Sequence, residues 1–114
     1  MKDNKKIKER AYEFAIDIIK FVRKLPKDTA GFVVGRQLLK SGTSIGANVR
    51  EAQNAESKAD FIHKMKVAAK EAEETEYWLL LCQLSNSYPD CQDLQNKIAD
   101  ILKILSKIIS SSKK

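Results

Sequence analysis

This sequence of 114 residues has one histidine, one tryptophan, two cysteines, two prolines and four glycines. The single histidine, His63, has no second His or Cys at ligand spacing, so no zinc-type donor set is expected. Glu71, Glu73, Glu74 and Glu76 cluster, but none precedes a histidine in the Glu-x-x-His spacing used by metal sites of helical bundles. The two thiols, Cys82 and Cys91, do not make a disulfide framework and are expected as packed, reduced side chains facing each other across the last turn. The longest apolar run, Tyr77 to Cys82, falls far short of the ~20 residues a membrane-spanning helix needs. The N-terminus, Met1-Lys2-Asp3-Asn4-Lys5-Lys6, lacks the apolar segment of an export signal, which points to a cytoplasmic chain. There is no phosphate loop, nucleophile elbow or dinucleotide fingerprint, because the glycines do not follow a strand. The expectation is a protein that is not an enzyme, with no catalytic residue, cofactor, metal or small-molecule substrate. The acidic run Glu71–Glu76 could in principle pair carboxylates for acid–base work. It reads more simply as a partly solvated face.

Helical periodicity is abundant. Leu, Ile, Val and Phe supply 30 residues, enough for a core in a chain of this length. Ile7, Ala11, Phe14, Ile18, Phe21 and Leu25 recur at spacings of four and three, as do Phe61, Met65, Ala68, Ala72, Thr75, Leu79 and Cys82. Cys91, Leu94, Ile98, Ile101, Leu105 and Ile108 carry a further stripe. Pro26 stops the first pattern, Asp28 or Thr29 caps the second, and Ser57 with Asp60 approaches a capping box for the third. Ser85-Asn86-Ser87-Tyr88-Pro89-Asp90 is a turn by composition. With no stretch alternating at period two, these signals predict an all-α fold. It is an antiparallel up-and-down four-helix bundle, a single domain over residues 1–114, with helices at about 4–25, 30–53, 57–84 and 90–110.

Three features exceed what a bundle needs. Tyr12, Ile16 and Ile19 project away from the first helix's core stripe, which implies a second buried face, used for self-association or a partner. Gly31, Gly35, Gly42 and Gly46 share one stripe of the second helix. Each internal glycine costs ~1 kcal/mol relative to alanine, so a close helix approach or a kink should compensate. Gln37, Ser41, Ser44, Asn48 and Glu51 form a polar ladder, read either as an interhelical hydrogen-bond network or as a solvated groove, with Glu71 and Glu74 as acceptors on the third helix.

Lys and Arg number 21 against 15 Asp and Glu, a formal charge of +6. Residues 1–27 alone hold nine cations and four anions. In an up-and-down bundle both termini lie at one end. Lys2, Lys5, Lys6, Lys8 and Arg10 would then gather with Lys107, Lys113 and Lys114 into a basic pole suited to phosphate backbones. The competing reading is a lysine-rich surface that serves solubility alone. No recognition helix, RNA-binding aromatic motif or zinc finger is present, so sequence-specific readout is not expected.

The stretch Gln37-Leu38-Leu39-Lys40-Ser41-Gly42-Thr43-Ser44-Ile45-Gly46-Ala47-Asn48-Val49-Arg50-Glu51 resembles the signature of the bacterial four-helix-bundle proteins encoded in 23S rRNA intervening sequences. Asp60-Phe61, Met65, Val67-Ala68, Glu74 and Tyr77-Trp78-Leu79 continue the likeness. Gly46, Ala52 and Lys70-Glu71 depart from the common pattern. The resemblance implies a ring-like homopentamer, and relatives that serve diversity-generating retroelements by binding nucleic acid and a reverse transcriptase through a basic surface. On it, Gln37, Ser44, Asn48, Glu51 and Glu74 are a structural signature. Composition, faces and resemblance together predict a non-enzymatic oligomer that binds RNA or a ribonucleoprotein through pooled lysines. The alternative is an interaction scaffold that docks a partner through Tyr12, Ile16 and Ile19.

Overall fold

Four helices follow one another in a computed structural model that describes residues 2–113, with side chains described from Lys6 to Lys113. They are α1 (Lys2–Val22), α2 (Thr29–Gln53), α3 (Lys58–Leu84) and α4 (Gln92–Ser112). Packing joins α1 to α2, α2 to α3, α3 to α4 and α1 to α4, and among the described residues the backbones of neither diagonal pair come as close. That is the up-and-down four-helix bundle, 46 Å long and 21 × 18 Å across.

The end of α1 and the starts of α2 and α3 have local causes, whereas the start of α4 does not. α1 stops at Val22, three residues before the predicted end at Leu25. The N–H groups of Lys24 and Leu25 donate to the carbonyls of Phe21 and Val22, three residues back (2.9 and 3.1 Å). This tightened turn precedes Pro26 and still buries Leu25. Asp28 caps α2 by accepting from the Gly31 N–H at 2.8 Å. Ser57 caps α3 by accepting from the Asp60 N–H at 3.0 Å, while the Asp60 carboxylate accepts from the Glu56 N–H at 3.3 Å, one residue outside the usual capping box. α4 starts at Gln92, after the predicted Asp90. Its cap comes from α3: Gln83 Oε1 accepts from the Cys91 N–H at 2.8 Å and Gln83 Nε2 donates to Asp90 at 2.7 Å.

The predicted stripes form the core. Ile7, Phe14, Ile18, Leu38, Ile45, Met65, Leu79, Ile98 and Leu105 are almost wholly excluded from solvent. The glycine stripe lets α2 lie close against α1 and the turn before it. A Cβ at Gly42 would meet Ile18 at 3.1 Å and one at Gly35 would meet Val22 at 3.0 Å. A Cβ at Gly31 would lie 1.9 Å from the Pro26 carbonyl oxygen, so only glycine fits there.

Candidate nucleic-acid interface and self-association faces

Antiparallel α1 and α4 bring the start of α1 and the end of α4 to one end of the bundle. Lys6, Arg10 and Lys103 there line a shallow depression with Asp100 and Ile104. Arg10 reaches Asp100 at 4.0 Å, at the limit of an ion pair. Lys8 is exposed nearby, and Lys107 and Lys113 continue the end along α4. The side chains of Lys2, Lys5 and Lys114, the other predicted members of the basic pole, lie outside the described residues.

Topology adds cations that the sequence reading left out. Arg50 closes α2, and Lys58, Lys64 and Lys66 open α3 at this same end. Counted along the chain, residues 1–15, 45–69 and 100–114 make up the terminal half, with thirteen Lys and Arg against seven Asp and Glu. Residues 16–44 and 70–99 make up the other half, with eight against eight. The whole formal charge of +6 therefore belongs to the half that holds the termini.

The outer face of α1 is open. Tyr12 is 42% exposed, Ile16 54% and Ile19 37%. Leu39, also exposed, sits on α2 between Gly35 and Gly42, whose closest neighbours are Val22 and Ile18, so it borders the same face at the level of Ile19. A second apolar surface escaped the sequence reading: Tyr77, Leu80 and Leu84 are exposed on α3. Their spacing of three and four signalled a common face, but it was submerged in the apolar run Tyr77–Cys82.

The polar ladder of α2 mostly closes on its own helix. Ser44 Oγ donates to the Lys40 carbonyl and Asn48 Nδ2 to that of Ser44, each four residues back. This is a correction to the expected interhelical network, because short polar side chains in a helix find that carbonyl before any neighbour. Two links do cross to α3. Lys64 Nζ lies 3.9 Å from Glu51. Buried Ser41 and Thr75 share a hydrogen bond of 2.8 Å, and the Thr75 hydroxyl also lies 2.8 Å from the Glu71 carbonyl. With one proton each, Thr75 donates to the carbonyl and accepts from Ser41.

Gln37 and Glu74 face an open groove between α2 and α3, together with Lys40, Lys70, Glu73, Tyr77 and Trp78. Beside it, Glu71 Oε2 is buried with no hydrogen-bond partner. Burial raises the Glu71 pKa above the ordinary carboxylate value. The charge of Glu74 and a carboxyl–carboxyl hydrogen bond to it push the same way, while Lys40 and Lys70 oppose them.

Cys82 and Cys91 are free and buried. Burial first, then Cys91, pushes Cys82 up to about 11, and burial first, then Asp90, pushes Cys91 up to about 11. Cys91 Sγ donates to the Leu79 carbonyl at 3.2 Å. Neither thiol is set up as a nucleophile. Lys97 bridges Asp17 at 2.8 Å and Asp93 at 3.1 Å, and these hydrogen bonds raise its pKa. Among the described residues, no group of three or more His, Cys, Asp or Glu could hold a metal ion, and no helix is long and apolar enough to cross a membrane.

The profile of the 23S rRNA-intervening sequence proteins matches residues 3–107. Among solved structures, the chain is similar to a protein of unknown function from the S23 ribosomal protein family of Bacteroides thetaiotaomicron. That match has a TM-score of 0.87 and 42% identity, and covers 95% of this chain and 98% of the other. Among curated proteins none gives a significant match.

Proposed function

Because the chain belongs to the 23S rRNA-intervening sequence protein family, we propose that it is a non-enzymatic, self-associating bundle that binds RNA through the basic half holding its termini. The observation that carries this reading is the segregation of charge: the terminal half holds all of the formal +6 and the other half none. A bundle that needed charge only for solubility has no reason to gather it at one end. Phosphate contacts of this kind give affinity without sequence readout, in keeping with the lack of any base-reading motif. Self-association multiplies the number of cations that one RNA can meet. The ring-like pentamer implied by the resemblance would carry five such ends.

Retention of a single-stranded RNA, compared between two charge-reversed variants, tests the assignment. Lys6→Glu with Lys8→Glu and Lys103→Glu alters the terminal end, whereas Lys20→Glu with Lys24→Glu alters the opposite one. The first variant is expected to lose retention and the second to keep most of it. Equal loss in both would remove the end as the site. The open α1 face at Tyr12, Ile16 and Ile19 favours one second reading, a scaffold for a protein partner. Under that reading neither variant changes RNA retention, because there is none at low salt to change.

A further inference from the structure

The groove between α2 and α3 has two ends of unlike chemistry. Tyr77 and Trp78 stand at one end, Lys40 and Lys70 line the rest, and Glu73 and Glu74 lie between. Lys70 and Tyr77 are two helical turns apart on α3, about 10 Å. Lys40 comes across from α2 to the same level as Lys70, since both cations lie near Glu71. The groove holds about 640 Å³, within the range of small-ligand sites.

Its aromatic end is open. Tyr77 is 55% exposed. Its ring meets that of Trp78 edge-on, at 5.2 Å between centroids and 71° between planes, so neither ring covers the face of the other. Trp78 is packed against the core, which fixes the pair in place. An uncovered aromatic face two turns from a pair of lysines suits a planar base joined to a phosphate: the ring stacks and the ammonium groups meet the anion. Glu71, beside the lysines, opposes that anion less than an exposed carboxylate would, because burial and then Glu74 hold it toward its protonated form.

The carboxylates between the two ends choose among bases. An ionised carboxylate only accepts hydrogen bonds. Guanine alone among the RNA bases carries two adjacent donors on its Watson–Crick edge, N1–H and the N2 amino group. Adenine and cytosine set a lone pair beside their amino group, and uracil flanks its N–H with two carbonyls.

We propose that this groove binds a guanine nucleotide, with the base against Tyr77, its N1–H and N2 amino edge on Glu73 or Glu74, and its phosphate between Lys40 and Lys70. This goes beyond the reading above and does not depend on it, because every one of these residues lies in the half of the bundle away from the termini. A free mononucleotide and a guanosine within single-stranded RNA offer the same chemistry, and the test separates them.

Trp78 is the only tryptophan of the chain, so its fluorescence reports on the groove directly. The full chain is titrated with GMP, AMP, CMP and UMP, with excitation at the red edge of indole absorption, where the bases do not absorb. GMP is expected to quench saturably, and AMP to bind about tenfold more weakly. Tyr77→Ala, and Lys40→Gln with Lys70→Gln, are each expected to weaken GMP binding about tenfold. These side chains are exposed, and circular dichroism confirms that each variant folds. Lys6→Glu with Lys8→Glu and Lys103→Glu is expected to bind GMP as the wild type does, so failure of the groove and failure of the terminal end are separate results. An oligouridine with one internal guanosine is added last. If it quenches as GMP does, the guest is a residue of RNA; if GMP alone quenches, the guest is the free nucleotide. No saturable quenching by GMP, equal binding of all the nucleotides, or GMP binding unchanged in both groove variants overturns the proposal.

Discussion

Adding one methyl group at two positions of the glycine stripe should have opposite effects on stability. A helix-interior Gly→Ala change gains ~1 kcal/mol from propensity alone when nothing obstructs the new methyl. At Gly46 the nearest atoms to such a methyl are Ala11 Cβ and Tyr12 Cδ1, both at 3.6 Å, which is ordinary contact. Gly46→Ala should therefore stabilise the fold by about 1 kcal/mol. At Gly31 the methyl would lie 1.9 Å from the Pro26 carbonyl oxygen and 2.9 Å from its carbon. These are backbone atoms, so the α1–α2 turn itself must shift. That turn buries Leu25 and positions Asp28 to accept from the Gly31 N–H. Overpacking costs ~1–3 kcal/mol and a lost N-cap ~1 kcal/mol, against a smaller propensity gain in the first turn, so Gly31→Ala should destabilise by about 2 kcal/mol. Urea unfolding followed by circular dichroism reads both. A Gly31→Ala variant as stable as wild type, or a Gly46→Ala variant less stable, would refute the reasoning.

Thr75→Val removes the acceptor for the buried Ser41 hydroxyl, and a stability loss of about 1–2 kcal/mol is expected by the same assay. Glu71→Gln removes a charge that folding disfavours. A carboxyl whose folded pKa is raised above 4.5 holds its proton more tightly folded than unfolded, so its contribution to stability falls as pH rises through that range. The variant should melt higher than wild type at pH 7, with the gap closing in acid. A gap that persists unchanged to pH 3.5 would show that the gain is not electrostatic. With both thiols raised from 9.0 to about 11, the native protein should hold about 100-fold less thiolate at neutral pH than exposed cysteines would. Labelling by a thiol reagent should be correspondingly slow until denaturant is added, and fast labelling of the native chain would contradict this burial.

Much of the fold was legible because each helix buries one continuous stripe. The residues of period 3.6 from Ile7 to Phe21 and from Met65 to Cys82 are the ones excluded from water. Helix ends were read less well where the cause is not local. The α4 cap depends on Gln83, eight residues back and on another helix, and no pattern around Asp90 records it. The glycine stripe announced a close approach but not its partner, since only the three-dimensional arrangement places Ile18 and Val22 opposite Gly42 and Gly35. The basic pole was anticipated from antiparallel topology, yet Arg50, Lys58, Lys64 and Lys66 were left out of it although the same up-and-down order places the α2–α3 turn at that end. The α3 apolar face was hidden because Leu79 and Cys82, which are core, interrupt Tyr77, Leu80 and Leu84 in sequence.

The central claim is that pooled cations at the terminal end bind phosphate backbones, and the salt dependence of RNA affinity tests it most directly. Anisotropy of a labelled single-stranded RNA would be titrated across a salt series and plotted as the logarithm of affinity against that of salt. Engagement of about six phosphates predicts a straight line of slope near −4, or about a 300-fold loss between 50 and 200 mM. A slope near zero, with affinity unchanged across that range, would contradict the account.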